Sequence, residues 1–287
     1  MSQWRRITGI GLVVSLATAL VGVPAAQDRP QPPEPRIGQP GKDVIWVPSP
    51  PELIEKMLDL AQVTPQDFVV DLGSGDGRTV IAAAKRGARA LGVEYDGPLA
   101  VASRQNVMAA GVGDKATIAQ GDMYESDFSQ ATVLALFLLP TNLLKLRDKF
   151  LDLTPGSRIV VNNFEIPDWS FDDTVSLDVC DPWCTAHLWI VPARVGGTWR
   201  VQRFSGGGRG VAPPTELTLT QRFQVVAGAV ATGAGTTRIA SVSLRGADLR
   251  FTVGSTEYAG RVSGSVIEGT TTAGGVQSAW RATRVSP

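Results

Sequence analysis

The chain has 287 residues, 43% of them apolar, which is enough for two modest domains with their own cores. Its 27 basic and 27 acidic residues cancel, so no global field steers it toward nucleic acid, and no nucleic-acid partner is expected. Two cysteines and one histidine are too few soft ligands for a metal site, and a lone histidine argues against a Ser-His-Asp hydrolase.

Residues 1–26 read as a signal peptide. Arg5 and Arg6 precede an apolar run over 7–23, and Val23-Pro24-Ala25-Ala26 offers small residues for cleavage. That run is marginal for a membrane span, which needs about 20 apolar residues. The expectation is a periplasmic or secreted protein. An uncleaved N-terminal anchor, or a cytoplasmic protein whose start lies downstream, are the alternatives. Residues 27–43 are rich in proline and polar side chains, as expected of an exposed linker.

Trp46-Val47-Pro48-Ser49-Pro50-Pro51 leads into a predicted helix over 52–61, with prolines where a helix start tolerates them. Strands and helices then alternate: strand 68–72, helix 78–86, strand 90–94, helix 98–110 and strand 115–119. Strand 132–138, helix 142–153 and strand 157–163 follow. This pattern predicts an α/β domain over 44–193, a parallel sheet with helices on both faces and ligands at the strand C-termini. A closing hairpin is expected from strands 174–179 and 186–192. They flank Cys180-Asp181-Pro182-Trp183-Cys184, where Cys180 and Cys184 are either a disulfide or a pair of thiols. His187 falls at a strand start and reads as structural.

After residue 193 helical periodicity vanishes, and glycine, threonine and short alternating strands take over. Strands are predicted at 217–225, 239–244, 249–253, 258–262, 266–269 and 278–285, an antiparallel barrel or sandwich over 194–287. Gly197-Thr198-Trp199 and Trp280-Arg281-Ala282-Thr283-Arg284 resemble the two ends of small avidin- or lipocalin-like barrels, where a tryptophan from the first strand packs under an arginine from the last. Residues 194–287 carry a local charge of +7. This excess docks the halves together, attracts an anionic partner, or solvates the outer face of the sheet.

The chemistry concentrates at the first strand tip, Val69-Val70-Asp71-Leu72-Gly73-Ser74-Gly75-Asp76-Gly77-Arg78. Its Gly-x-Gly-x-Gly spacing departs from the Gly-x-Gly-x-x-Gly of dinucleotide sites, and no Gly-Lys-Ser/Thr follows to hold a triphosphate. A nucleoside without a phosphate chain is the ligand that fits. Glu94 closes the second strand about 20 residues on, where a ribose presents two hydroxyls. Asp122 and Met123 follow the third strand, suited to the amino group and face of an adenine.

These residues, with Trp46-Val47-Pro48-Ser49-Pro50, Gly92-Val93-Glu94-Tyr95, Ser103-Arg104 and Phe137-Leu138-Leu139-Pro140, resemble class I S-adenosylmethionine-dependent methyltransferases. Within that class they are similar to the lysine methyltransferases related to the mitochondrial enzyme that modifies the ATP synthase c-subunit. The resemblance covers about half the chain. It implies a Rossmann-like seven-stranded methyltransferase sheet and S-adenosyl-L-methionine as cofactor, with a C-terminal all-β domain appended.

Cofactor contacts are expected from Asp71, Gly73, Ser74, Gly75, Gly77, Glu94, Asp122 and Met123. Trp46, Pro48 and Ser49 are expected to cap it, with Ser49 near the methionine carboxylate. Phe137, Leu138, Leu139 and Pro140 should line the methyl-transfer channel. Adenine and small-amide methyltransferases usually place Asn/Asp-Pro-Pro-Tyr/Phe there; an apolar rim instead suits an aliphatic amine, which sheds its charge when desolvated. No catalytic residue is assigned. The expected reaction is N-methylation of a protein lysine or other amine. The alternative is a non-catalytic nucleoside-binding protein whose basic β domain binds a partner or ligand.

Overall fold

Three prolines, Pro48, Pro50 and Pro51, hold the chain extended and then open α1 (Pro51–Leu60), with Pro51 in its first turn. The computed structural model describes residues 1, 36–38, 43, 45–178, 182–204, 215–233 and 235–286. The apolar run 7–23, the expected cleavage stretch, most of the expected linker and Cys180 lie outside the described residues. No helix among the described residues is long and apolar enough to cross a membrane.

β1 (Phe68–Leu72), β2 (Arg89–Glu94), β3 (Ala116–Gln120), β4 (Val133–Leu136) and β5 (Arg158–Asn162) pair in parallel, while β6 (Asp173–Ser176) and β7 (Thr185–Ile190) add an antiparallel edge. The order is β3-β2-β1-β4-β5-β7-β6. Strands β1, β4 and β5 are near-continuous apolar runs because helices cover both faces of the sheet. Alternate residues divide between two cores. Val69, Val133 and Val160 join α1 and α2 (Arg78–Lys85), while Val70, Leu134 and Val161 meet Phe150 of α4 (Pro140–Leu151). Between β2 and β3 runs α3 (Gly97–Ala109), whose N-cap Asp96 accepts from Leu99 N at 2.8 Å.

The second sheet has nine antiparallel strands. They are β8 (Gly197–Phe204), β9 (Thr215–Arg222), β10 (Val225–Thr232), β11 (Gly235–Arg238), β12 (Ala240–Arg245), β13 (Asp248–Val253), β14 (Thr256–Ser263), β15 (Val266–Ala273) and β16 (Val276–Ser286). β8 and β16 pair, so the ends of this half meet in the sheet. β11 and β12 are one run of chain bent at Ile239–Ser241, where Ser241 has φ 48°. Its first part bonds β10, Ile239 N reaches Gly228 O at 3.0 Å, and its second part bonds β13. That bend nearly closes the sheet into a barrel.

Buried rings fill the interior: Phe251 stacks on Tyr258 at 4.7 Å, and Trp280 meets Tyr258 edge-on at 5.3 Å. The expected tryptophan–arginine packing is present, with the Arg284 guanidinium 4.3 Å over the Trp199 ring and donating to the Arg194 and Gly196 carbonyls.

Two expectations for this half need correction. The strand expected over 217–225 ends at Arg222, because Phe223 takes φ 54° and turns the chain into β10. β10 itself, Val-Val-Ala-Gly-Ala-Val-Ala-Thr, is absent from the expected strands, since alanine and glycine carry little strand signal. Its small residues admit a neighbour: a Cβ on Gly228 would overlap the Thr218 carbonyl.

Some of the arginines of this half have visible acidic partners. On the outer face Arg281 pairs with Glu268 at 2.8 Å and Arg261 with Asp248 at 3.0 Å, and Arg261 stands opposite Glu268 in the β14–β15 register. The result is a cross-strand ladder of alternating charge. Arg194–Asp152 (2.5 Å) and Arg222–Asp168 (3.8 Å) cross between the halves, both exposed. Other contacts between the halves, among the described residues, are aromatic, polar and main-chain. Trp169 stacks on Phe223 at 5.4 Å and 8°, Gln224 Nε2 donates to Ser170 O at 2.6 Å, and Ala193 N donates to Gly246 O at 2.8 Å.

Candidate active site

β1 separates β2 and β3 on one side from β4 and β5 on the other, and a crevice opens where strand order reverses. A cavity of about 230 Å³ lies there, lined by Gly73, Glu94, Asp122, Met123 and Phe137, among others. Gly121, also in its wall, ties to β2 through Gly121 N to Glu94 O at 2.9 Å.

Glu94 is the best-held polar group in the cavity wall. Its Oε2 accepts from Gly75 N at 2.8 Å and its Oε1 from Asp96 N at 2.9 Å. Each oxygen keeps acceptor capacity beyond those bonds. Burial pushes the carboxyl above its ordinary value, against the pull of these backbone donors.

The glycine turn is built for close approach, partly by the protein itself. Gly75 (φ 56°) and Gly77 (φ 83°, the N-cap of α2) are left-handed, which favours glycine. A Cβ on Gly75 would overlap the Trp46 indole, and one on Gly77 would overlap the Ser103 hydroxyl. Asp71, at the tip of β1, is buried, and its carboxyl is pushed up to about 7, chiefly by desolvation. The charges of Glu94 and Asp76 add to this, and a hydrogen bond with Thr79 opposes it.

Of the residues expected from sequence, Trp46, Gly73, Glu94, Asp122, Met123, Phe137, Leu138 and Leu139 line this one cavity. Asp71, Ser74, Gly75, Gly77, Pro48, Ser49 and Pro140 do not. Asp71 and Ser74 are buried beneath the turn, and Pro140 is the exposed first residue of α4. Ser49 is buried with its Oγ accepting from Asn162 Nδ2 at 2.9 Å, and its carbonyl accepts from Arg78 Nη1 at 2.9 Å. Asp122 Oδ1 already accepts from Tyr124 N at 2.9 Å.

The cavity also takes in Tyr95, Asp96, Leu99, Phe164 and Trp183, which are not among the expected contacts. Tyr95 and Asp96 directly follow Glu94, so the motif that ends there already points at them. Phe164 and Trp183 come from a loop and a hairpin far along the chain. Cys184, beside Trp183, is disulfide-bonded. His187 lies away from the cavity, stacked on Phe171 at 4.6 Å, with its Nδ1 3.1 Å from Thr174 Oγ1. Burial lowers its pKa, against the raising influence of Glu165.

A family model for the ANTKMT methyltransferase domain matches residues 71–173, the stretch that carries Asp71, Glu94, Asp122 and Phe137. A protein-lysine N-methyltransferase of Saccharolobus islandicus is 35% identical over 151 residues, covering 52% of this chain and 94% of that protein. The chain belongs to this methyltransferase family. The human ATP synthase c-subunit lysine N-methyltransferase is 32% identical over 48% of this chain, which spans 59% of that relative's length. A crystal structure of an RNA methyltransferase from Salinibacter ruber, in complex with S-adenosyl-L-homocysteine, is 41% identical. It covers 52% of this chain and 96% of that one, with a TM-score of 0.49.

The methyltransferase has unsatisfied polar atoms around the glycine turn and behind the cavity. Ser74 Oγ, Ser103 Oγ and Asn162 Oδ1 are buried without a partner among the described residues. Such atoms are uncommon in folded proteins and collect where a ligand or water completes the site. A carboxylate with open lone pairs, a glycine turn and an apolar wall in one cavity suit a nucleoside with a charged sulfonium tail. The residues present fit S-adenosylmethionine.

Proposed function

We propose that this methyltransferase transfers a methyl group from S-adenosylmethionine to the amine of a protein lysine. One observation carries the reading: a single cavity runs from the fixed Glu94 carboxylate to the apolar wall of Phe137, Leu138 and Leu139. The 35% identity to an archaeal protein-lysine methyltransferase over nearly its whole length supports the acceptor class.

In this reading Glu94 takes the ribose hydroxyls, and charge-assisted bonds of this kind are roughly twice as strong as neutral ones. Asp122 and Met123 take the adenine edge and face, and Trp46 covers the turn at Gly75. When bound, the sulfonium would supply an activated methyl group to the amine lone pair. Transfer therefore needs a neutral amine in line at about 3–3.5 Å, and the chain supplies position more than acid–base chemistry. The lysine side chain enters as an ammonium and has to release its proton to water before transfer, because only the neutral amine carries the lone pair that takes the methyl.

The test is incubation with cofactor carrying a labelled methyl group and a cell extract, followed by separation into protein, RNA, lipid and small-molecule fractions. Label in the protein fraction, on lysine, and its loss in Glu94→Ala are the expected outcomes. Binding of S-adenosylhomocysteine with no label in protein would remove the lysine reading.

We further propose that the chain is exported, on the strength of the basic start and apolar run over residues 1–26. Export places a cofactor made in the cytoplasm out of easy reach, so this proposal has a direct consequence to check. A compartment-sensitive reporter fused after Ala26 should signal outside the cytoplasm; a signal confined to the cytoplasm refutes export. Two arginines of residues 194–287, Arg194 and Arg222, are read as serving the contact between halves, and the remaining excess as solvating the outer face of the sheet rather than holding an anionic partner.

A further inference from the structure

Three half-buried rings face the cavity from three separate parts of the chain: Phe137 after β4, Phe164 after β5, and Trp183 in the β6–β7 hairpin. They touch one another. Phe137 and Phe164 stack at 6.0 Å and 20°, Trp183 meets Phe137 edge-on at 5.6 Å, and Trp183 tilts against Phe164 at 5.8 Å. Packing alone does not account for them. Rings that serve the core of this half, such as Trp169, Trp189 and Phe150, are fully buried, whereas these three keep faces open to one cavity.

The position of Trp183 is imposed. Its φ is 70°, a conformation uncommon for a bulky side chain. The next residue, Cys184, is disulfide-bonded, and its carbonyl accepts from Leu177 N at 2.9 Å. Backbone held in a disfavoured region at a cavity wall points to a side chain kept there for use.

We propose that Phe137, Phe164 and Trp183 form the acceptor-selecting wall of the cavity, taking an alkylammonium side chain through their ring faces; this rests on the methyl-transfer reading above. Ring faces attract a cation, and a desolvated site strengthens that attraction. Leu138 and Leu139 beside Phe137 suit the methylene stem of such a side chain. Of the carboxylates that line the cavity, Glu94, Asp96 and Asp122 belong to the other strand tips and Asp43 to the segment before α1, so the three rings themselves offer quadrupole rather than ion pairing. A flat nucleobase would also stack on rings, but its recognition needs hydrogen bonds to its edge, and the wall of Phe137, Phe164, Trp183, Leu138 and Leu139 offers only one polar side-chain group, the Trp183 indole N–H, to supply them.

The experiment uses the full chain and calorimetric titration with three probes: Nα-acetyl-Nε-trimethyl-lysine amide, its neutral tert-butyl isostere, and uridine. Each is titrated with and without saturating S-adenosylhomocysteine. The charged probe should bind about tenfold more tightly than the isostere. Trp183→Leu and Phe164→Leu should each erase that preference, and Trp183→Phe should keep most of it. S-adenosylhomocysteine affinity should stay within about twofold in all three variants, a change under 0.5 kcal/mol. Equal binding of charged and neutral probes, a stronger response to uridine, no saturable binding of the charged probe, or an unchanged preference in both leucine variants overturns the wall. Failure of wild type to bind S-adenosylhomocysteine instead overturns the methyl-transfer reading, since the charge preference is also read without it.

Discussion

The parallel sheet and the barrel bury similar rings but treat polar groups differently. Among the described residues, every buried polar side chain except Thr271 belongs to the first half or the segment leading into it, among them Asp71, Glu94, Ser103 and Asn162. The buried polar atoms left without a partner are also all there, whereas the barrel tryptophans are satisfied by main-chain carbonyls: Trp199 Nε1 to Val195 O at 2.9 Å and Trp280 Nε1 to Ala259 O at 3.0 Å. One half carries unresolved polarity at its strand tips, which destabilises the fold and suits ligand binding. The other is a satisfied scaffold.

This contrast can be broken from the barrel side first. Trp280→Ala removes a fully buried ring and should destabilise the chain by about 3–5 kcal/mol, read as a lower denaturation midpoint. Cofactor affinity at a temperature where the variant is folded should be unchanged; a specific loss of affinity would show that the barrel is not merely a scaffold.

Asp71 sharpens the other side through pH. Its folded pKa of about 7 lies above its ordinary 3.8, mainly because burial penalises the charge. The folded state therefore holds an extra proton between those values, and stability falls as pH rises through about 7. Asp71→Asn should match wild type near pH 4 and exceed it at pH 8, by up to about 4 kcal/mol if the shift is fully expressed. Melting curves at the two pH values decide it, and a variant less stable than wild type at pH 8 contradicts the assignment.

Glu94→Ala should lower S-adenosylhomocysteine affinity about 30- to 200-fold, the loss of one or two charge-assisted hydrogen bonds. Calorimetry reads this directly, and unchanged affinity would place the nucleoside elsewhere. Smallest of all, Arg281→Ala removes one rung of the exposed ladder and should cost about 0.2–1 kcal/mol, fading with added salt. A larger, salt-independent loss would mean that the outer face does more than stay solvated.

Much of the first half is legible in the sequence because its signals are local. The strand–Gly73-to-Gly77–helix run, the carboxylate closing β2 and the proline-led α1 are each written within about ten residues. What escapes depends on distant contacts. Phe164 reaches the cavity from the tip of β5, and Trp183 joins it because β7 folds back beside β5. Ser49 has the chemistry of a ligand contact, but Asn162, 113 residues away, accounts for its hydroxyl. In the barrel, β10 is hidden by its alanines and glycine, and the turn at Phe223 is invisible because a non-glycine residue takes a positive φ there. Its ring lies flat on Trp169.

That stacked pair has a bearing on how such a chain can be cut or recombined. Trp169 is 2% exposed, its carbonyl accepts from Trp189 Nε1 at 2.7 Å, and its ring face is covered by a residue from the other half. Severing the polypeptide after residue 193 would bare an indole that water never meets in the whole molecule. Any transplant of the barrel onto a new host must offer Phe223 a matching aromatic partner, and the half left behind keeps an adhesive spot at Trp169.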